Sequence, residues 1–303
     1  MSRIYTRRDL LALIAAATAM QAAKPSLAAL SKKMGIHLGY TGITWMNDQV
    51  GLAVQSISSL GFYGFETFGD VLSKWHDNGG LEAVLEKNQL PLISGYCPIN
   101  LTEPSRKTDE IAKARNWCRL IKRCKGRIFV VGPNAVERKT YEFSANKGNI
   151  ISALNEIAVV VEQEGLTPVL HQHTGTCIES RDETYAVLES VDTRHLKFGP
   201  DVGQLTKGGQ DAVKVVKDFL PIVQHMHLKD YNGKDEHLVG YCPLGRGRVD
   251  VPAILKMMAG RKISGMVMVE LDNDFKSPSL IPPVTLARES RDYLRTIGVE
   301  FRM

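Results

Sequence analysis

Two imidazoles stand in Leu170-His171-Gln172-His173-Thr174-Gly175-Thr176, directly after an apolar run, where a buried strand should reach a loop. Three later segments share that character: Gly199-Pro200-Asp201-Val202-Gly203, His225-Met226-His227-Leu228-Lys229-Asp230, and Val267-Met268-Val269-Glu270. Each sets a His, Asp or Glu at the carboxyl end of a short apolar or β-branched run. Imidazole with carboxylate is a ligand set for divalent ions, and strand ends that carry it converge at the mouth of a parallel barrel. The expectation is one metal site, built from several strands.

Residues alternate between faces along a strand. His225 and His227 therefore point the same way, and His227, nearer the carboxyl end, is the expected ligand with His225 in the layer beneath. Two hydrogen-bonded core histidines are the plainer alternative. His171 and His173 also share a face; one would bind metal and the other touch substrate or move a proton. Asp201 follows Gly-Pro, a context that also suits a turn or cap residue. Glu270 ends a run so apolar that an unpaired carboxylate there would be costly, a cost that a metal or a cation would remove. Lys229 falls on the face of His227, where an ammonium could stabilise an oxyanion or carry a proton; a salt bridge to Asp230 or a neighbour is the rival reading. Glu66 ends an earlier run of the same kind. Trp45, Phe68, Tyr96 and Tyr241 are candidates for a wall that stacks on a sugar ring, or ordinary rim packing.

The elements needed to position these groups are visible. Short apolar runs occur at Ile36–Thr41, Gly64–Phe68, Pro91–Tyr96, Arg127–Val131, Pro168–His171, Leu196–Phe198, Ile222–His227 and Met266–Glu270. Between them apolar residues recur every three or four positions, as at Leu52, Val54, Ile57, Leu60 and at Ile150, Leu154, Ile157, Val161. Strands alternating with helices imply parallel pairing with right-handed crossovers. Eight units over residues 34–303 predict an α/β fold, a single (β/α)8 TIM barrel. An open doubly wound sheet ranks second, since no Gly-rich fingerprint follows the first strand and Gly245-Arg246-Gly247 is too weak to be a phosphate loop. Asp250 should cap a helix starting at Val251, and Gly61 and Gly165 should end helices. The long connection Tyr231–Val249 is expected as a lid.

Residues 1–28 read as a twin-arginine export signal: Arg7-Arg8, an apolar core from Leu11 to Met20, and Ser26-Leu27-Ala28 before cleavage. The apolar stretch is shorter than the roughly 20 residues a bilayer span needs. A periplasmic or secreted protein, free of the membrane once the signal is removed, is therefore expected. The 303-residue chain carries a formal charge of +5; the leader holds four bases (Arg3, Arg7, Arg8, Lys24) and one acid (Asp9), so +2 remains without it. No basic stripe interleaved with aromatics argues for nucleic acid. Five scattered cysteines with no CxxC pair disfavour a zinc knuckle, and Cys118 and Cys124 are expected on or beside one helix rather than bonded to each other.

From about Met34 onward the chain resembles the xylose isomerase-like TIM-barrel superfamily of sugar isomerases, epimerases and dehydratases. The resemblance runs through Gly61-Phe62-Tyr63-Gly64-Phe65-Glu66, His171-Gln172-His173, Asp201-Val202-Gly203, His225 to Asp230, Leu244 to Asp250, and Glu270. It implies one Mn2+, Mg2+ or Co2+ held by His171, Asp201, His227 and Glu270, and the His171–Thr176 stretch is most similar to the inosose dehydratase branch. Glu270, His173 and Lys229 would be catalytic, and Glu66, Gln204, Arg246 and Trp45 would contact a small carbohydrate. Ketose 3-epimerases have Glu where His171 stands, which puts two-base epimerisation in doubt, and Gln204 occupies a place where His is usual. The implied reaction is metal-dependent enolisation of a keto-sugar or keto-cyclitol, of the inosose or 3-keto-glycoside type, with loss of water. Isomerisation or epimerisation through the same enediolate is the alternative. A non-catalytic sugar-binding protein and an apurinic endonuclease relative are weaker readings; the latter would need more metal ligands and a basic DNA surface. The chain is free to form a homo-oligomer.

Overall fold

The structure, a computed structural model, describes residues 34–303, and the expected leader lies outside them. Eight parallel strands form the central sheet: β1 (Leu38–Thr41), β2 (Phe65–Phe68), β3 (Leu92–Ile99), β4 (Ile128–Pro133), β5 (Thr167–Leu170), β6 (Lys197–Phe198), β7 (Met226–Leu228) and β10 (Val267–Val269). Between β7 and β10 lies a small antiparallel hairpin, β8 (Asp230–Tyr231) with β9 (Tyr241–Cys242). The strands follow the order β6-β5-β4-β3-β2-β1-β10-β7. Parallel bridges from Phe198 to Val223 and from Asp201 to His227 join the two ends. The result is a (β/α)8 barrel, not an open sheet.

The barrel follows from two hydrophobic periods. Ile128 to Val131 are buried on both faces, as a parallel strand between barrel interior and helix layer must be. On the helix Phe143–Gln163, the three-and-four spacing of Ile150, Leu154, Ile157 and Val161 puts all four side chains into the interface with the strands. The punctuation is as expected: Asp250 accepts from the Ala253 N–H at 3.0 Å at the start of Val251–Met258, and Gly61 and Gly165 take φ +83° and +85° after their helices. All five cysteines are buried and unpaired, Cys118 within the helix Lys107–Arg123 and Cys124 just after it. No helix among the described residues is long and apolar enough to cross a membrane.

The connection after β7 is docked, not splayed. Tyr241 is fully buried, and His237 Nδ1 bonds the Ser277 carbonyl at 2.8 Å. The carboxylate of Asp230 organises the rest of this connection, accepting the backbone N–H groups of Tyr231, Gly245, Gly247 and Val249 at 2.8–3.0 Å. This explains why Gly245-Arg246-Gly247 is no phosphate loop: its inward N–H groups already hold an anion that belongs to the chain. A Cβ at Gly247 would run into that carboxylate. Gly247→Ala is therefore expected to dislodge Asp230 and destabilise the protein by about 1–3 kcal/mol, the scale for orphaning buried polar groups. Thermal melts with limited proteolysis at residues 243–250 would read it, and an unchanged melt and cleavage pattern would refute the loop's dependence on Asp230.

Candidate active site

The fold brings the carboxyl-terminal ends of β5, β6, β7 and β10 together, and with them His171, Asp201, His227 and Glu270; Glu66, the second residue of β2 and not its end, adjoins His227, and all five are buried. Donor atoms of His171, Asp201 and His227 all lie within 4.8 Å of one another. Glu270 Oε2 is 3.1 Å from His227 Nδ1, and His171 Nε2 is 4.0 Å from Asp201 Oδ2. Neither ring nitrogen of His171 has a hydrogen-bond partner among the described residues, although the side chain is only 1% exposed. Buried polar atoms of native proteins are normally paired, so lone pairs converging without partners fit a cation. Two imidazoles and two carboxylates suit a divalent ion.

Asp201 does two jobs at once. Its Oδ1 accepts the N–H groups of Gly203 and Gln204 at 2.8 and 2.9 Å, capping the helix Val202–Lys207. Its Oδ2 faces the site. The cap alternative and the ligand reading apply to opposite oxygens of one carboxylate.

Lys229, buried to 0% exposure, is enclosed by Glu270 Oε1 at 2.5 Å, Asp272 Oδ1 at 2.8 Å and Asp201 Oδ2 at 3.0 Å, with the Tyr241 ring 4.6 Å from its ammonium. Burial opposes its charge, but Asp201, Asp272 and Glu270 outweigh burial and hold its pKa well above the usual lysine value. Lys229 thus sits as a cation among three carboxylates; Asp230, its suggested sequence partner, is occupied in the loop. Burial likewise raises Glu270, yet His227 and Lys229 pull that carboxyl well below its ordinary range. Asp272 is raised by burial, against the pull of Lys229. Burial lowers both His171 and His173, reinforced by nearby positive groups, and keeps them neutral.

His173 has a defined tautomer. Its Nδ1–H donates to the Thr174 carbonyl at 2.6 Å, so Nε2 carries the lone pair and accepts from the Gln204 amide at 2.7 Å. Thr174 Oγ donates to Gln204 Oε1 at 2.6 Å and so fixes which way that amide faces. Gln204, expected at the substrate, holds the His173 ring in this structure. The cleft above these groups, about 80 Å³, is lined by Glu66, Phe68, Tyr96, His171, His173 and Glu270 among others. Phe68 and Tyr96 meet edge to face at 5.6 Å and form its aromatic side.

Two expected substrate contacts do not reach the cleft. Trp45 is buried edge-on against Tyr40, its ring centroid 5.9 Å away, because a large apolar ring gains more from the core than from the rim. Arg246 points to Glu289 at 3.1 Å, since the cradle around Asp230 sets the direction of its loop. Asp272 and Ser94 escaped the sequence reading. Asp272 had a signal: it lies two residues beyond Glu270, as Lys229 lies two beyond His227.

A model of the xylose isomerase-like TIM barrel family matches residues 54–297, and the chain belongs to that family. An inosose dehydratase of Clostridium botulinum (strain Alaska E43 / Type E3) is 24% identical over 295 residues, covering 86% of this chain and 96% of the relative. Among solved structures, the 3-keto-D-glucoside 4-epimerase YcjR of E. coli superposes with a TM-score of 0.66 at 15% identity, over 86% of this chain and 99% of that one. The IOLI protein with a binding zinc atom gives 0.68 at 15% identity, over 87% and 98%.

Proposed function

We propose that this chain is a divalent-metal-dependent carbohydrate enzyme that enolises a keto-sugar or keto-cyclitol and expels the β-hydroxyl as water. The observation that carries this reading is the buried convergence of His171, Asp201 and His227 donor atoms beside Glu270. A bound Mn2+, Mg2+ or Co2+ supplies Lewis-acid polarisation of a carbonyl oxygen, which acidifies the neighbouring C–H bond. His171, Asp201, His227 and Glu270 would hold it; the zinc atom of the IOLI structure and the 24% identical dehydratase support the same direction.

The chain's own groups account for the proton. His173 Nε2, a neutral imidazole nitrogen, exchanges its contact with the Gln204 amide for the substrate and takes the proton from the carbon next to the carbonyl. The C–H electrons form the carbon–carbon double bond, the β C–O bond breaks, and the departing oxygen takes the proton back from His173 as water. No outside oxidant or reductant is required. Phe68 and Tyr96 offer the sugar an aromatic face and keep water from the cleft. Return of the proton to the neighbouring carbon would make an isomerase or epimerase instead. Two-base epimerisation is disfavoured because His171 replaces one carboxylate and Lys229 with His227 engages the other.

Metal-loaded protein given an inosose or a 3-keto-glucoside in D2O should lose the signal of the proton next to the carbonyl and gain conjugated-carbonyl absorbance. His173→Gln should slow both by about 10²- to 10⁴-fold, the range for a general base. Deuterium incorporation without the chromophore would convert the assignment to isomerase; neither change, across a panel of keto-sugars, would defeat it. The same proposal sets the enzyme in the periplasm or outside the cell, on the strength of the Arg7-Arg8 leader, and favours unphosphorylated substrates.

A further inference from the structure

Two trios of buried ligand-type side chains share His227: one with His171 and Asp201, the other with Glu66 and His225. The polarity of the hydrogen bonds separates their roles. The backbone N–H of Met266 donates to His225 Nδ1 at 3.2 Å, so the proton of a neutral His225 ring is on Nε2, which lies 2.9 Å from Glu66 Oε2. Ser94 Oγ donates to the same oxygen at 2.5 Å. The other oxygen, Glu66 Oε1, is 2.8 Å from His227 Nε2. Both ring nitrogens of His227 therefore face a carboxylate, but only Nε2 faces one that Ser94 and His225 already anchor within the protein, so Nε2 is the nitrogen that keeps its proton when an ion arrives. Nδ1, beside Glu270 Oε2, is the nitrogen turned to the site.

We infer that Glu66 is a positioning residue, held by Ser94 and His225, which keeps the proton of His227 on Nε2 and presents Nδ1 as the donor atom to the metal site. The trio of Glu66, His225 and His227 is therefore a relay within the protein and not a second cation site. Glu66 is thus engaged by protein groups on both oxygens, and His225 acts on His227 through Glu66. The inference rests on the metal reading above, and its test is built to separate the two.

Glu66→Gln keeps the shape but must point an NH2 at one of three groups that already donate. In the full chain, titration with Co2+ followed by its visible ligand-field spectrum should show affinity 10- to 100-fold weaker, with an altered spectrum at saturation, as expected when a carboxylate behind a ligating His is lost. Ser94→Ala, which removes one of the supports of Glu66, should fold normally and weaken Co2+ binding by less. Long-range ¹⁵N–¹H correlation of the Zn2+-loaded protein should find the His227 proton on Nε2. In metal-free wild type that Nε2 proton should resonate far downfield, and in E66Q it should not. A folded E66Q or S94A pair with wild-type Co2+ affinity and spectrum, or a His227 proton found on Nδ1, overturns the inference. Wild type that binds no divalent ion overturns the metal reading, and the metal-free resonance then decides the role of Glu66 by itself.

Discussion

Asp201→Asn is expected to leave a folded barrel without the divalent ion and turnover proposed for this chain. Asparagine is as good an N-cap as aspartate, so its Oδ1 can go on accepting from Gly203 and Gln204, and the helix Val202–Lys207 should survive with little loss. The opposite atom becomes an NH2. It places donor hydrogens where Oδ2 had left lone pairs free beside the donor atoms of His171 and His227, and it abuts the ammonium of Lys229, 3.0 Å away in the wild type. Turnover should fall by roughly a thousandfold or more, comparable with removal of one preorganised electrostatic group from an active site. Metal content by mass spectrometry, set beside a thermal melt, separates the two functions of this side chain. A D201N protein that retains stoichiometric metal would mean that Asp201 is a helix cap and nothing else.

Lys229→Met is expected to produce a protein whose stability depends on added divalent ion. The substitution keeps an unbranched stem but removes the charge that Asp201, Glu270 and Asp272 surround. Removing one partner of a buried ion pair typically costs about 3–5 kcal/mol, because the remaining charge is left uncompensated. For a chain of this size that corresponds to a melting temperature lower by roughly 6–20 °C in EDTA. The same clustered negative charge should strengthen the attraction for a divalent ion, and an ion at a hundredfold excess over its Kd restores about 2.7 kcal/mol. Scanning calorimetry with and without Mn2+ is the measurement. Equal losses with and without metal would break the link between Lys229 and the ion site; no loss at all would break the claim that these carboxylates need compensation.

How much of this was legible in the sequence depended on whether a signal was local. The alternation His225-Met226-His227-Leu228-Lys229 is local, and it put three side chains inside the barrel without knowledge of any other strand. The same rule carried two residues past Glu270 would have reached Asp272; the strand was read as ending where its apolar run ended. The function of Glu66 was beyond such reasoning, because His225 lies 159 residues away and only the closed ring brings them together. Trp45 and Arg246 were misplaced for different reasons. Residue type alone does not say whether an aromatic faces cleft or core, and the direction of Arg246 is decided by backbone amides that converge on Asp230. Gln204 showed up as a departure from a familiar pattern, but its grip on His173 required the Thr174 hydroxyl to be in view.

The ring closes where its strands are short. β6 has two residues and β7 three, and the pairing across them is completed by the isolated bridges Phe198 to Val223 and Asp201 to His227. The backbone contact that shuts the cylinder is thus made by two residues whose side chains supply converging donor atoms. With this seam unzipped, Asp201 and His227 would no longer be held side by side, and the trio they form with His171 would come apart. Closure of the cylinder and convergence of these donor atoms therefore rest on one and the same join.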